Sequence, residues 1–297
     1  MFRVHTLDLR FQNTPGTIAA FLIESGGNLA LVETGPGSTL PTLLQEIRAL
    51  GFEPENIRHV FVTHIHLDHA GAAGWWAKQG ATVFVHPQGA KHLIDPGKLM
   101  SSARMVYGEQ FDALWGEMLP APEDKVVTLA DGESVKIGKV KITAINTPGH
   151  ARHHHTYACG GVCFTGDVAG VRLQGSDYLS VAAAPPQFDP VAYLDSITRL
   201  HDADFEKLYL THFGEVTDVS RHLSACAQRV GQVHEHVQAL MLQGLSGDAL
   251  RRAYSQAEHD VAMKVGVSEA QWSGYELANS SAMCADGIAL YCEKNQP

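Results

Sequence analysis

The sequence has no CxxC pair among its five cysteines, which stand at positions 159, 163, 226, 284 and 292. Scattered and odd in number, they predict reduced, buried thiols in a cytoplasmic protein, and neither a disulfide framework nor a sulfur-ligated zinc site. No stretch approaches the roughly 20 apolar residues that span a bilayer, so no membrane partner is expected. The opening run Met1-Phe2-Arg3-Val4-His5-Thr6-Leu7-Asp8 lacks an apolar core, which predicts that no secretory signal is present. Positive charge is scarce, with 22 Lys+Arg against 32 Asp+Glu and a net charge of −10. Without a basic cluster such a chain grips nucleic acid poorly, and no nucleic-acid partner is expected. Repeats and low-complexity tracts are lacking too. With 45% hydrophobic residues in 297, the chain can build a full core, which excludes disorder.

What the sequence has in plenty is histidine, 17 beside only 22 Lys+Arg. Histidine is the commonest metal ligand and titrates near neutrality. Placement decides which of them carry chemistry.

Two apolar runs, 17–23 and 29–32, are joined by Ser25-Gly26-Gly27-Asn28, which is hairpin chemistry. Leu40, Leu43, Leu44, Ile47 and Leu50 predict a helix that Gly51 stops. Strands at 57–62 and 82–85 with a small-residue helix near 70–79 continue an α/β alternation. Residues 87–118 read as an insertion of two helices, in which Met105, Tyr107 and Trp115 are expected to pack. Strand character returns at 125–129, 134–137, 139–145, 156–158 and 162–165, and a helix at 189–201 leads to strand 207–210. Beyond residue 216 the pattern is helical: a stripe from Val219 to Leu240 ends at Gly244, and Ser268-Glu269-Ala270-Gln271 opens a later helix as a capping box. The expected organisation is therefore a domain over 1–215 and a helical appendage over 216–297.

Val62-Thr63-His64-Ile65-His66-Leu67-Asp68-His69 follows a strand and enters a helix. Side chains two apart converge from extended backbone, whereas those after the turn point elsewhere. Four metal-competent groups in six residues suit two adjacent cations, His64 and His66 serving one, Asp68 and His69 the other. Imidazoles and carboxylates without thiolate suit zinc, and also iron or manganese. His150, Asp167 and His212 share the context, each just after an apolar strand.

THIHLDHAG, TPGH, FTGD and LTHFG, in that order, resemble the metallo-β-lactamase fold superfamily over roughly residues 16–215. The resemblance implies an αββα sandwich, an α/β fold, with two metals at the sheet edge. It implies that His64, His66 and His150 hold the first metal, Asp68, His69 and His212 the second, and that Asp167 bridges them. Asp68 and Asp167 are then the catalytic carboxylates, and a shared hydroxide is the nucleophile. The insertion at 87–118 accounts for the long interval between His69 and His150 and is expected to wall the substrate site.

A bridging Asp167 speaks against a true β-lactamase. Lactone hydrolases of the superfamily place a Tyr shortly after the bridging Asp, whereas Asp167 is followed by Val168-Ala169-Gly170. The helical tail is similar to that of glyoxalase II-type and other thioesterases, where such helices cover the cleft. The expectation is hydrolysis of a thioester or ester by a dinuclear site, the substrate a small molecule, anionic or acyl-CoA-like, drawn to a spot that the metals make locally positive. A phosphodiesterase of the same fold, or a metal-bound regulatory protein with vestigial hydrolysis, is the alternative. A homodimer is the expected assembly. Glu33 stands where the family usually has Asp and is expected to orient a ligand histidine. The run His153-His154-His155 leaves two readings open: a substrate contact or proton relay, or a solvated turn with one inward imidazole. The tail histidines 222, 234, 236 and 259 are expected at the surface.

Overall fold

A computed structural model describes residues 2–295 of the chain. It forms two compact units, Met1–Asn146 with His153–Gly166, and Thr147–Arg152 with Asp167–Pro297.

In the first unit, strands β1 (Arg3–Asp8), β2 (Ala19–Ser25), β3 (Asn28–Val32), β4 (His59–Phe61), β5 (Thr82–Val85) and β6 (Val126–Thr128) form a sheet in sequence order. Gly26 and Gly27, both at positive φ, make the two-residue turn between paired Ser25 and Asn28. β1 to β3 run antiparallel, and β3 to β6 parallel. Parallel neighbours need crossovers. Helix α1 (Leu40–Ala49) supplies the first, with Leu43 and Ile47 buried. Helices α2 (Leu67–Ala70) and α3 (Ala73–Lys78) supply the second.

The insertion carries three helices where two were expected: α4 (Ala90–Ile94), α5 (Gly97–Tyr107) and α6 (Phe111–Trp115). The positive φ of Gly108 ends α5 and separates it from α6. Trp115 stacks on Phe11 and meets Tyr107 edge-on, as expected of packing residues. Met105 does not pack. It is 81% exposed, because α5 buries none of its residues.

Four further strands, β7 (Ser134–Ile137), β8 (Val140–Asn146), β9 (His155–Cys159) and β10 (Val162–Gly166), form an antiparallel meander. It packs on the first sheet through Phe21 against Phe164 and Phe61 against Tyr157, ring centroids 5.4 and 5.2 Å apart. Each buried aromatic stabilises by roughly 1.5–3 kcal/mol. The Tyr157 hydroxyl donates to the Val62 carbonyl at 3.1 Å, so the packing also fixes the end of β4.

The second unit begins with the loop after β8. Helix α7 (Pro190–Asp202) claims that loop: the Ser196 hydroxyl donates to the Pro148 carbonyl at 2.6 Å, and Asp189 N donates to the Gly149 carbonyl at 2.8 Å. The hairpin β11 (Lys207–Leu210) and β12 (Gly214–Val216) precedes α8 (Val219–Leu242), α9 (Gly247–Lys264), α10 (Glu269–Ala278) and α11 (Ser281–Lys294). Leu223, Val230, Val233 and Val237 are the buried stripe of α8, and the Ser268–Gln271 capping box opens α10. Arg229 on α8 makes a two-pronged pair with buried Glu258 on α9, which also accepts from the Tyr178 hydroxyl. The Tyr178–Glu258 bond ties the 167–215 stretch to the tail, and residue 215 lies inside this unit.

His222 departs from its expected surface position. It is 2% exposed, because α8 turns that face toward the segment after Asp167. His234, His236 and His259 are partly exposed. All five cysteines are free and buried. Burial pushes the thiols of Cys163, Cys226 and Cys284 up to about 12, which makes them inert. Among the described residues no helix is long and apolar enough to cross a membrane.

Candidate metal centre

β4 ends at Phe61, and the chain bends at Thr63, His64 and His66 before α2, His66 itself having a φ and ψ of −63° and 154°. His64 and His66 therefore converge, with His64 Nε2 2.9 Å from His66 Nδ1. Asp68 and His69 come from the first turn of α2, where His69 Nε2 lies 3.4 Å from Asp68 Oδ2. His64 and His69 lie with ring centroids 4.0 Å apart. The four strand-end groups thus lie close together within the first unit.

Glu33 organises it. The carboxylate is fully buried, accepts from Thr63 N at 3.2 Å and from the Thr63 hydroxyl, and faces His69 Nδ1 at 2.9 Å. A carboxylate only accepts, so Nδ1 of His69 carries a proton, and Nε2, which faces Asp68, is the nitrogen left to ligate a metal. The Thr63 hydroxyl, having donated to Glu33, accepts from His64 Nδ1 at 3.1 Å. One carboxylate thus sets two imidazoles, His69 directly and His64 through Thr63. Glu33 has a φ of 65°, a conformation that costs a non-glycine residue on the order of 1 kcal/mol. The bond from its own N–H to the Phe61 carbonyl, at 2.9 Å, helps to hold it there. Thr63 as a relay was not anticipated, although it stands inside the motif.

His153, His154 and His155 all turn inward, at 5%, 0% and 0% exposure, which removes the solvated-turn reading. His153 and His154 flank His64 with centroids 6.2 and 5.0 Å away, and His153 lies 5.6 Å from His66. His155 N donates to the Thr63 carbonyl at 2.7 Å, while its ring lies against His86. Gly166 has to be glycine, since a Cβ would press on His154 Nε2 and Thr63 Oγ1. Tyr107 carries a phenol that burial, and then the Asp68 carboxylate, push up to about 12, so it keeps its proton.

The second unit holds the other three candidates. His150 Nδ1 lies 3.0 Å from the Ala182 carbonyl, which only accepts, so Nδ1 carries a proton and Nε2 is again the nitrogen left to ligate. That Nε2 lies 3.3 Å from Asp167 Oδ2, and His212 Nε2 lies 3.5 Å from Asp167 Oδ1. The carboxylate therefore presents a different oxygen to each imidazole. Tyr193 on α7 donates its hydroxyl to the Asp167 carbonyl at 2.6 Å and steadies the turn. No sequence signal marked Tyr193, which belongs to an ordinary amphipathic helix.

The donor set fits divalent metal. His69 Nε2 faces Asp68 Oδ2 over 3.4 Å and His150 Nε2 faces Asp167 Oδ2 over 3.3 Å, so each unit brings together an imidazole and a carboxylate that a shared cation would stabilise. Each imidazole is backed by an acceptor on the far ring nitrogen, the usual support of a ligating histidine.

Residues 13–212 match the model of the metallo-beta-lactamase superfamily. The metallo-beta-lactamase fold-containing protein ST1585 of Sulfurisphaera tokodaii is 27% identical over 205 residues, 67% of this chain and 76% of that protein. The N-acyl homoserine lactonase AttM of Agrobacterium fabrum is 29% identical over 117 residues, 38% of this chain and 40% of that protein. The crystal structure of the metallo-beta-lactamase family protein TTHA1429 from Thermus thermophilus shares the fold at a TM-score of 0.69 and 19% identity, over 99% of this chain and 93% of that one. Since the family match runs from before His64 to His212 itself, this chain belongs to the metallo-beta-lactamase superfamily of metal-dependent hydrolases.

Proposed function

We propose that this chain is a dinuclear metal-dependent hydrolase that cleaves an ester or thioester. The observation that carries the reading is Asp167, whose two oxygens face His150 and His212 separately. A carboxylate shared in that way suits a bridge between two cations. In this reading His64, His66 and His150 hold the first metal, Asp68, His69 and His212 the second, and Asp167 both. Zinc is the metal proposed, on the imidazole and carboxylate donors.

When bound, the two ions supply a nucleophile at neutral pH and polarise the scissile carbonyl. The chain holds the ligands in the required tautomers, through Glu33 for His69 and the Ala182 carbonyl for His150. Asp68 is the more exposed carboxylate, at 18% against 7% for Asp167, and is the one placed to pass a proton outward. The name of the lactonase relatives supports attack on an ester carbonyl. The Val168-Ala169-Gly170 segment after Asp167 favours an open ester or thioester over a lactone. The free, buried cysteines are in keeping with a cytoplasmic setting.

The test is metal content by mass spectrometry with a panel of p-nitrophenyl acetate, an acyl-CoA, an N-acyl homoserine lactone and bis(p-nitrophenyl) phosphate. Two metals per chain and preferred turnover of the acetate or acyl-CoA are expected. Preference for the phosphodiester, or full turnover after metal removal, overturns the reading. Sedimentation of the same sample tests the proposed homodimer.

A further inference from the structure

Arg172 brackets the His212–Phe213 peptide. Its N–H donates to the His212 carbonyl at 2.6 Å, and its own carbonyl accepts from Phe213 N at 3.2 Å. The guanidinium is held in turn by Asp218, at 3.1 and 3.3 Å, and by the Ser176 carbonyl at 3.3 Å. His222, one turn into α8, donates from Nε2 to the Ala169 carbonyl at 2.8 Å and turns Nδ1 toward Arg172 Nη1 at 3.5 Å. Ala169 lies in the turn that Asp167 opens, closed by Gly170 N donating to the Asp167 carbonyl at 2.9 Å. One buried imidazole therefore touches the Asp167 turn on one side and the residue that clamps His212 on the other.

We propose that His222 is a positioning residue for metal binding: with Arg172 it holds Asp167 and His212 at the separation their shared metal requires. Resting on the dinuclear reading above, the inference adds a residue from outside the ligand motifs. The physical reason is rigidity. Asp167 and His212 follow two different strands, and their backbones are joined near the site through the 167–172 segment, in which Tyr193 holds the Asp167 carbonyl, Phe213 N that of Arg172, and His222 that of Ala169 between them. A donor fixed on a 24-residue helix gives that segment a stiff anchor. Cys226, one turn further along α8, offers only a weak thiol contact to the Val168 carbonyl, at 3.9 Å, and does not duplicate it.

The experiment compares wild type with His222→Leu, His222→Gln and Asp218→Asn. Zinc affinity is read by competition with a chromogenic chelator, and site geometry by the visible spectrum of the cobalt-loaded protein. Unfolding of the metal-free protein reports the fold. His222→Leu is expected to weaken the more weakly held zinc about tenfold, the usual scale for loss of a ligand-supporting group, and to shift the cobalt spectrum. Gln, which can place a donor near the imidazole Nε2 position, is expected to restore most of the affinity. Asp218→Asn, at the solvent end of the clamp, is expected to weaken zinc in the same direction. Wild-type affinity in both His222→Leu and Asp218→Asn overturns the proposal, as does weaker zinc without rescue by Gln. Should wild type bind no zinc, the dinuclear reading itself fails and the proposal with it.

Discussion

Glu33 Oε1 lies 2.9 Å from Nδ1 of His69, 36 positions away in the chain, and both side chains are fully buried. The pair determines which nitrogen of His69 faces Asp68. The same carboxylate reaches His64 through the Thr63 hydroxyl.

Glu33→Gln should weaken metal binding by about ten- to a hundredfold while the protein stays folded, because the amide keeps the shape and loses the charge. Chelator competition measures it. An affinity equal to wild type would show that the tautomer does not depend on Glu33.

Asp167→Ala removes the group that faces both His150 and His212. Metal stoichiometry and turnover should fall together, read by mass spectrometry and hydrolysis on one preparation. A variant that keeps two metals and full rate would sink the bridging assignment.

Gly149 has a φ of 132°, and a Cβ there would overlap the backbone of Tyr193. Gly149→Ala should displace the loop that carries His150, lowering both the melting temperature and metal affinity. An unchanged melting temperature would mean that α7 yields to the methyl group.

Glu258→Ala leaves the Arg229 guanidinium largely buried and without its carboxylate, 2.6 Å away in the native protein. The expected loss in urea unfolding is about 3 kcal/mol, since a buried charge stripped of its partner is strongly unfavourable. A loss below about 1 kcal/mol would show that water or the Leu179 carbonyl compensates.

Burial holds the imidazoles of His86 and His222 below their ordinary 6.5. The unfolded chain therefore takes up these protons first as pH falls, so the stability is complete above about 6.5 and declines below it. Urea unfolding of the metal-free protein at pH 7.5 and 5.5 should show the decline, with a shallower one in His86→Gln. Identical slopes in the two proteins would remove His86 from the account.

Much of this was legible in the sequence because it is local. The Gly26-Gly27 turn, strands 82–85, 134–137 and 207–210, the capping box at Ser268 and the strand-end placement of His64, His66, Asp68 and His69 all follow from period and turn chemistry within a few residues. Met105 and His222 went the other way, one expected to pack and found exposed, the other expected outside and found buried. Helical spacing says which residues share a face, and only the neighbouring elements decide whether that face is covered.

The sequence by itself determined the superfamily, the α/β elements and the kinds of donor at each strand end, since these depend on residue type and order. Tertiary structure alone decided that Glu33 sets His69 and, through Thr63, His64, that Ala182 sets His150, that all three of His153–His155 turn inward, and that the loop of His150 belongs with α7. In each case the partner lies far along the chain or the outcome depends on which neighbours cover the residue. The proton positions and the burial follow from that proximity.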